Sequence, residues 1–168
     1  MITNIIHFWN YAPLWQPLLL SAIPILLWCV FIFKADRKFV QIIGSMLLLI
    51  ACGTILYTTI LSRNEKMLNN VSMTLFSFVS QGYYSSKAFR GFWMNTYLFI
   101  PVGLSIVVAT SQGKRIGVIF GLALSIFIET MQLLFHLGTF EIDDIVANSL
   151  GCALGVWICN RTLKLRRR

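Results

Sequence analysis

Acidic and amide side chains occur inside stretches of the chain that are otherwise apolar, and these are the residues with which the sequence could do chemistry. Glu129 and Gln132 are three residues apart and fall on one face of a helix. An ionisable group at membrane depth costs at least about 2.5–3.5 kcal/mol and usually faces a bundle interior or a watery cavity. The apolar stretch around Glu129 contains no Lys or Arg. We therefore predict that Glu129 points into a helix contact beside a functional cavity.

A second apolar stretch presents a matching polar face. Asp144, Asn148, Gly151 and Gly155 are spaced four, three and four residues apart, which keeps them on one side of a helix. Six residues make up the predicted binding site, which we call the polar cluster: Asn95, Glu129, Gln132, Asp143, Asp144 and Asn148. The alternative is a network of interhelical hydrogen bonds that only fixes the fold, at about 0.6–2 kcal/mol each.

Small residues recur on the same faces and predict close contacts between helices. Gly117, Gly121 and Ser125 precede Glu129 at intervals of four, and Gly151 and Gly155 form a GxxxG pattern. The residues assigned to helix packing are Pro101, Gly103, Gly117, Gly121, Gly151 and Gly155. The GxxxG faces would also permit a homo-oligomer.

The composition shows which class of protein must position these residues. Of the 168 residues, 57% are hydrophobic and 12% are charged, whereas a soluble domain has about 25% charged residues. Disorder is excluded, and a nucleic-acid partner is not expected despite the net charge of +8. We predict an all-α, polytopic transmembrane helical bundle with residues 1–168 in a single domain.

Five stretches are long enough to cross a bilayer core of about 30 Å as helices. They are Leu14–Phe33, Phe39–Leu61, Asn95–Ser111, Ile116–Phe135 and Asp144–Asn160. The segment between the second and third is too polar to span. Its apolar residues recur at helical spacing, which predicts an amphipathic helix in the outer interface of the membrane. A mobile cover over the polar cluster is the alternative interpretation.

Basic residues predict the orientation of the bundle. With the amino terminus outside, ten of the fourteen Lys and Arg residues fall on the cytoplasmic side, together with the carboxyl terminus. These ten are Lys34, Arg37, Lys38, Lys114, Arg115, Arg161, Lys164, Arg166, Arg167 and Arg168. The polar cluster would then lie in the outer half of the membrane.

The four cysteines all lie in apolar runs without CxxC spacing. We interpret them as small packing residues rather than as a disulfide framework or zinc site. The sequence predicts no resident metal and no cofactor.

Three motifs in the carboxyl-terminal half resemble the VanZ-like family of bacterial membrane proteins. Residues 95–103 read NTYLFIPVG, like the family's N-x-x-x-F-x-P-x-G. Residues 129–132 read ETMQ, like its E-x-x-Q, and residues 140–155 match F-x-x-D-D-x-x-x-N-x-x-G-x-x-x-G. The resemblance is strongest over residues 95–155. Between the second and third motifs the family usually has an Arg, where this chain has His136, Leu137 and Gly138; His136 is a candidate for a partial substitute.

The resemblance implies a multi-pass protein of the bacterial plasma membrane that lowers sensitivity to teicoplanin-type lipoglycopeptides in Gram-positive bacteria. We favour a non-enzymatic factor whose partners are membrane lipids, a lipid-linked wall precursor or the drug itself. One alternative is a membrane enzyme acting on an undecaprenyl-type substrate. There Glu129 and Asp144 would be acid and base, or Asp143 and Asp144 would hold a divalent metal. A lipid flippase or transporter is a further alternative.

Overall fold

The computed structural model describes residues 36–61, 63, 70–76, 87–110 and 114–166. Within these ranges lie four long helices: α1 (Arg37–Leu56), α2 (Lys87–Thr110), α3 (Lys114–Leu134) and α4 (Ile142–Arg166). A π-helical turn, Tyr57–Leu61, extends α1. Two short strands, β1 (Val71–Ser72) and β2 (Phe140–Glu141), pair in parallel.

Four helical segments in the described part of the chain, the first of which includes the π-helical turn after α1, are long and apolar enough to cross a membrane. The segments are Arg37–Leu61, Ala88–Thr110, Arg115–Leu134 and Ile142–Lys164. Large apolar side chains cover the outside of the bundle, such as Leu49 at 74% and Ile119 at 64% exposure, as expected of a surface that contacts lipid. The predicted all-α membrane bundle is confirmed. The first predicted span, Leu14–Phe33, lies outside the described residues.

Two helix boundaries in the structure differ from the predicted ones. The third span begins with α2 at Lys87 rather than at Asn95, because Phe89 and Phe92 pack in a buried cluster with Ala147 of α4. The last helix continues beyond Asn160 to Arg166. The helices around Phe39–Leu61 and Ile116–Phe135 match the predicted spans within two residues.

The predicted amphipathic helix between α1 and α2 is wrong where the structure describes that region. Residues 70–76, which we call the overlying segment, form strand β1 and a turn. Two features of this segment are incompatible with a helix. β1 pairs with β2, Val71 opposite Phe140 and Ser72 opposite Glu141. Phe76 adopts a left-handed conformation, with φ at 55°, which a right-handed helix does not allow.

The helices run alternately up and down, and α2 is the most buried of them. Its backbone touches that of α4, since a Cβ at Gly151 would collide with the Thr96 carbonyl and one at Gly155 with the Ile100 carbonyl. Small residues allow such close approach between helices in membranes. Cys152 and Cys159 are buried in this core, as the sequence interpretation expected of packing residues.

The two ends of the bundle differ in their charged groups. At the end that we call the hairpin end, residues 135–141 connect α3 to α4, and four of the chain's six acidic residues lie on or beside this connection. The opposite end, the basic end, carries the first residues of α1 and α3 and the last turns of α4. Its described bases are Arg37, Lys38, Lys114, Arg115, Arg161, Lys164 and Arg166.

Candidate functional site

A tight helix ending brings the last turns of α3 beside the first turns of α4. His136 is left-handed, with φ at 57°, and its N–H donates to the Leu133 carbonyl at 3.3 Å. The Leu137 N–H donates to the Gln132 carbonyl at 2.8 Å. This pair of bonds is the Schellman ending of a helix, in which the left-handed position is usually Gly. The exposed His136 therefore ends α3.

Glu129 lies at the centre of the hairpin end, about 8 Å along α3 from its last residue. Its side chain is 2% exposed, and its Oε2 accepts a hydrogen bond from the Glu141 N–H at 3.1 Å. Glu129 and Asp144 interact electrostatically, and the Asn95 side chain hydrogen-bonds to Asp144. Three helices thus bring Asn95, Glu129 and Asp144 into one interacting group.

A second polar contact lies one helical turn deeper. Asn148 follows Asp144 by four residues, and Ser125 precedes Glu129 by four. The Asn148 Nδ2 donates to the Ser125 Oγ at 2.9 Å, and both residues are buried. The Asn148 Oδ1 is buried without a hydrogen-bond partner among the described residues. Polar contacts between α3 and α4 therefore continue one turn below Glu129 and Asp144.

Gln132 faces α1 rather than the carboxylates. Its Nε2 donates to the Thr59 carbonyl at 3.1 Å, in the π-helical turn that ends α1. The last carbonyls of a helix have no partner within that helix. Gln132 supplies a donor to one of them and ties the end of α1 to α3.

Asp143 faces the overlying segment. Its Oδ1 accepts a hydrogen bond from the Phe76 N–H at 2.6 Å, and the Phe76 ring lies 6.3 Å from that of Phe92, centroid to centroid. The left-handed backbone of Phe76 costs roughly 1–2 kcal/mol, which these contacts offset. The Phe140 N–H also donates to the Asn70 carbonyl at 3.0 Å. Both ends of the overlying segment are thus attached to the α3–α4 hairpin.

Arg63 supplies a cation to this site, and sequence reasoning missed it. Its Nη1 donates to the Leu137 carbonyl at 3.0 Å, and its charge acts on both Glu129 and Asp144. A Cβ at Gly138 would lie 2.8 Å from that Nη1, so the small residue leaves room for the guanidinium. Arg63 therefore reaches the connection in which VanZ-like proteins usually carry their own Arg.

The polar cluster divides into neighbouring contacts rather than forming one ring of ligands. Asn95, Glu129 and Asp144 interact with one another, while Asn148, Gln132 and Asp143 bind other partners. In the part of the chain that the structure describes, no group of three or more His, Cys, Asp or Glu is placed to hold a metal ion. The adjacent Asp143 and Asp144 have different partners, which does not fit a shared divalent cation.

The residues assigned to helix packing lie mostly between helices of the same chain. A Cβ at Gly103 would collide with the Cys152 carbonyl. One at Gly117 would lie 2.6 Å from Val156, and one at Gly121 would lie 2.5 Å from Cys152. Pro101 lies inside α2 and is exposed. Since Gly151 and Gly155 also contact α2, a second copy of the chain would have to dock on another surface.

Comparison with known proteins agrees with the motifs. A search of curated proteins and a search of solved structures each found no match. A family model described as VanZ/LLP1 matches residues 22–164, which include all four described helices except the last residues of α4. The match covers well over half of the chain. This chain therefore belongs to the VanZ/LLP1 family of proteins.

Proposed function

We propose that this membrane protein binds the polar part of an amphiphile at its hairpin end, and so lowers sensitivity to teicoplanin-type lipoglycopeptides. The observation that carries the proposal is the position of Glu129, a carboxyl 2% exposed that interacts electrostatically with Asp144 and Arg63 inside a bundle with an apolar exterior. Such groups are costly at membrane depth and usually mark a functional site.

The distribution of bases supports the orientation that this function needs. Seven Lys and Arg residues of the described helices lie at the basic end. Cytoplasmic ends of membrane proteins carry such an excess of bases. We therefore place the basic end in the cytoplasm of a bacterium and the hairpin end at the outer leaflet of its plasma membrane. Lipid-linked wall precursors and lipoglycopeptides are both encountered at that leaflet.

The chemistry of the site suits a ligand that carries hydroxyl, amide and anionic groups together. Glu129 and Asp144 offer carboxyl oxygens, Asn95 offers an amide, and Arg63 offers a guanidinium with five N–H donors. One of these donors binds the Leu137 carbonyl in the contact described above. A lipid headgroup, the polar part of a wall precursor and the drug itself all present such groups.

Drug susceptibility of cells that express the chain tests the function. The chain would be expressed in a teicoplanin-sensitive Gram-positive host, and growth inhibition would be measured with teicoplanin and with a glycopeptide that lacks the acyl tail. We expect a severalfold rise in the inhibitory teicoplanin concentration and a smaller change for the tail-less drug. An unchanged teicoplanin response at verified membrane abundance would contradict the proposal.

A further inference from the structure

The overlying segment exposes three apolar side chains to its surroundings. Val71, Met73 and Leu75 are 52%, 64% and 56% exposed. They alternate with Ser72 and Thr74, whose hydroxyl oxygens lie 3.0 Å apart. Side chains two residues apart share a side of an extended chain such as β1, and Leu75 begins the turn that follows this stretch. We call Val71, Met73 and Leu75 the apolar patch.

Hydrogen bonds fix the level of this patch relative to the membrane. β1 pairs with β2, and β2 directly precedes Ile142, the first residue of a membrane-crossing segment. Two other such segments end at the same end of the bundle, at Leu61 and Leu134. The Phe76 N–H bond to Asp143, in the first turn of α4, holds the other end of the overlying segment at that level. The apolar patch thus lies where the crossing segments begin and end.

We propose that the apolar patch is a membrane-contacting surface, inserted at the boundary between the headgroups and acyl chains of the bilayer that the helices cross. Leu61 and Leu134, the terminal residues of two crossing segments, are themselves 70% and 63% exposed. The patch extends this apolar exterior beyond the helix ends. Amphipathic segments lie in such a boundary with their apolar side toward the acyl chains.

Insertion of the apolar patch would make the bilayer stabilise the position of the overlying segment next to the polar cluster. Moving the overlying segment away from the hairpin would withdraw Val71, Met73 and Leu75 from the boundary, as well as break the Phe76–Asp143 bond. The bilayer therefore holds the segment against β2, whose Glu141 N–H donates a hydrogen bond to Glu129. This inference does not depend on which ligand the site binds.

Thiol labelling at neighbouring positions tests the insertion. Met73→Cys and Thr74→Cys would be made in the full chain, placed in lipid nanodiscs with one copy per disc, and treated with a charged, membrane-impermeant maleimide. The parent chain measures the background of its own four cysteines. Because apolar surroundings disfavour the reactive thiolate and exclude the reagent, we expect Met73→Cys to react about tenfold or more slowly than Thr74→Cys. The two rates should become equal in denaturing detergent.

Val71→Cys is a second variant that we expect to be protected from the reagent. It keeps the proposal testable if Met73→Cys does not fold. Each variant is taken forward only if its thermal unfolding matches that of the parent, and exposed positions tolerate such changes well. Equal rates at residues 71, 73 and 74 in single-copy discs would overturn the proposal. Protection that occurs only in discs with several copies would assign the patch to a second copy of the chain, and would also overturn it.

Discussion

The carboxylate of Glu129 accepts a hydrogen bond from the backbone N–H of Glu141 at 3.1 Å, across the connection between α3 and α4. The same carboxylate interacts electrostatically with Asp144 at the start of α4 and with Arg63, which follows α1 in the chain. One buried acid therefore joins the hairpin, the first turn of α4 and the residue beyond α1. A structural role and a binding role for Glu129 can be separated by the choice of substitution.

Replacing Glu129 tests its structural role. Glu129→Gln keeps an oxygen that can accept the Glu141 N–H bond, so we expect little loss of stability. Glu129→Leu removes that acceptor and should cost about 1–3 kcal/mol. Denaturation in detergent, followed by circular dichroism, measures both changes. Equal destabilisation by the two variants would show that Glu129 does not stabilise the fold through its hydrogen bond with the Glu141 N–H.

Replacing Gly151 tests the backbone contact between α2 and α4. A methyl group there meets the Thr96 carbonyl oxygen, so Gly151→Ala should destabilise the fold by about 1–3 kcal/mol. The matched control is Gly53→Ala in α1, where a Cβ meets nothing within 4 Å. Because Ala is the better helix former, that control should gain about 0.5–1 kcal/mol. The same detergent titration measures both, and a stabilised Gly151→Ala would refute the close packing.

A double-mutant cycle measures the bond between Asn148 and Ser125. Asn148→Ala, Ser125→Ala and the double variant should give a coupling energy of about 0.6–2 kcal/mol, the range of interhelical hydrogen bonds in membranes. Asn160→Ala is the control partner, because the Asn160 side chain bonds to the Val156 carbonyl of its own helix. We expect no coupling between Asn160→Ala and Ser125→Ala. Absence of coupling for Asn148 would contradict the observed contact.

Replacing Arg63 tests the cation at the hairpin end. The residue is exposed, so Arg63→Gln should change stability by less than about 1 kcal/mol. Protection against teicoplanin should nevertheless fall, because the positive charge that interacts with Glu129 and Asp144 is lost. Arg63→Lys keeps the charge without the planar fork and should retain part of the protection.

Arg161→Gln is the control for loss of positive charge. Arg161 lies at the basic end, with its guanidinium carbon 5.6 Å from the centre of the Trp157 ring. Its replacement should leave protection unchanged in the same growth assay. Equal loss of protection in both variants would point to net charge rather than to Arg63 itself.

The sequence predicted the membrane-crossing helices because their apolar content is independent of their partners. It predicted too late a start for α2, because Phe89 and Phe92 look like interfacial aromatic residues until Ala147 packs against them. Val71 and Leu75 fit a helical period, yet Val71, Met73 and Leu75 also fit the period of a strand. Pairing with residues 140–141, almost seventy positions away, decided between the two periods.

The polar cluster was recognisable from the spacing of its residues along each helix, but its individual contacts were not. Arg63 reaches Leu137 from 74 positions away, and Gln132 reaches Thr59 from 73. Long-range contacts of this kind depend on which helices are neighbours in the folded bundle. No local sequence pattern around Arg63 or Thr59 predicted these contacts. The only signal in the sequence was that residues 136–138, between α3 and α4, lack the Arg that VanZ-like proteins usually have there, which suggests a cation from elsewhere in the chain.

Teicoplanin susceptibility of the Glu129→Gln variant tests the central claim most directly, because this substitution removes the ionisable carboxyl group while keeping an oxygen that accepts the Glu141 N–H bond. Parent and variant would be expressed at matched membrane abundance in the same sensitive host, with Gly53→Ala as a folded control. We predict that Glu129→Gln returns the inhibitory concentration to that of cells without the protein, whereas Gly53→Ala protects like the parent. Full protection by Glu129→Gln would contradict a binding role for the buried carboxylate.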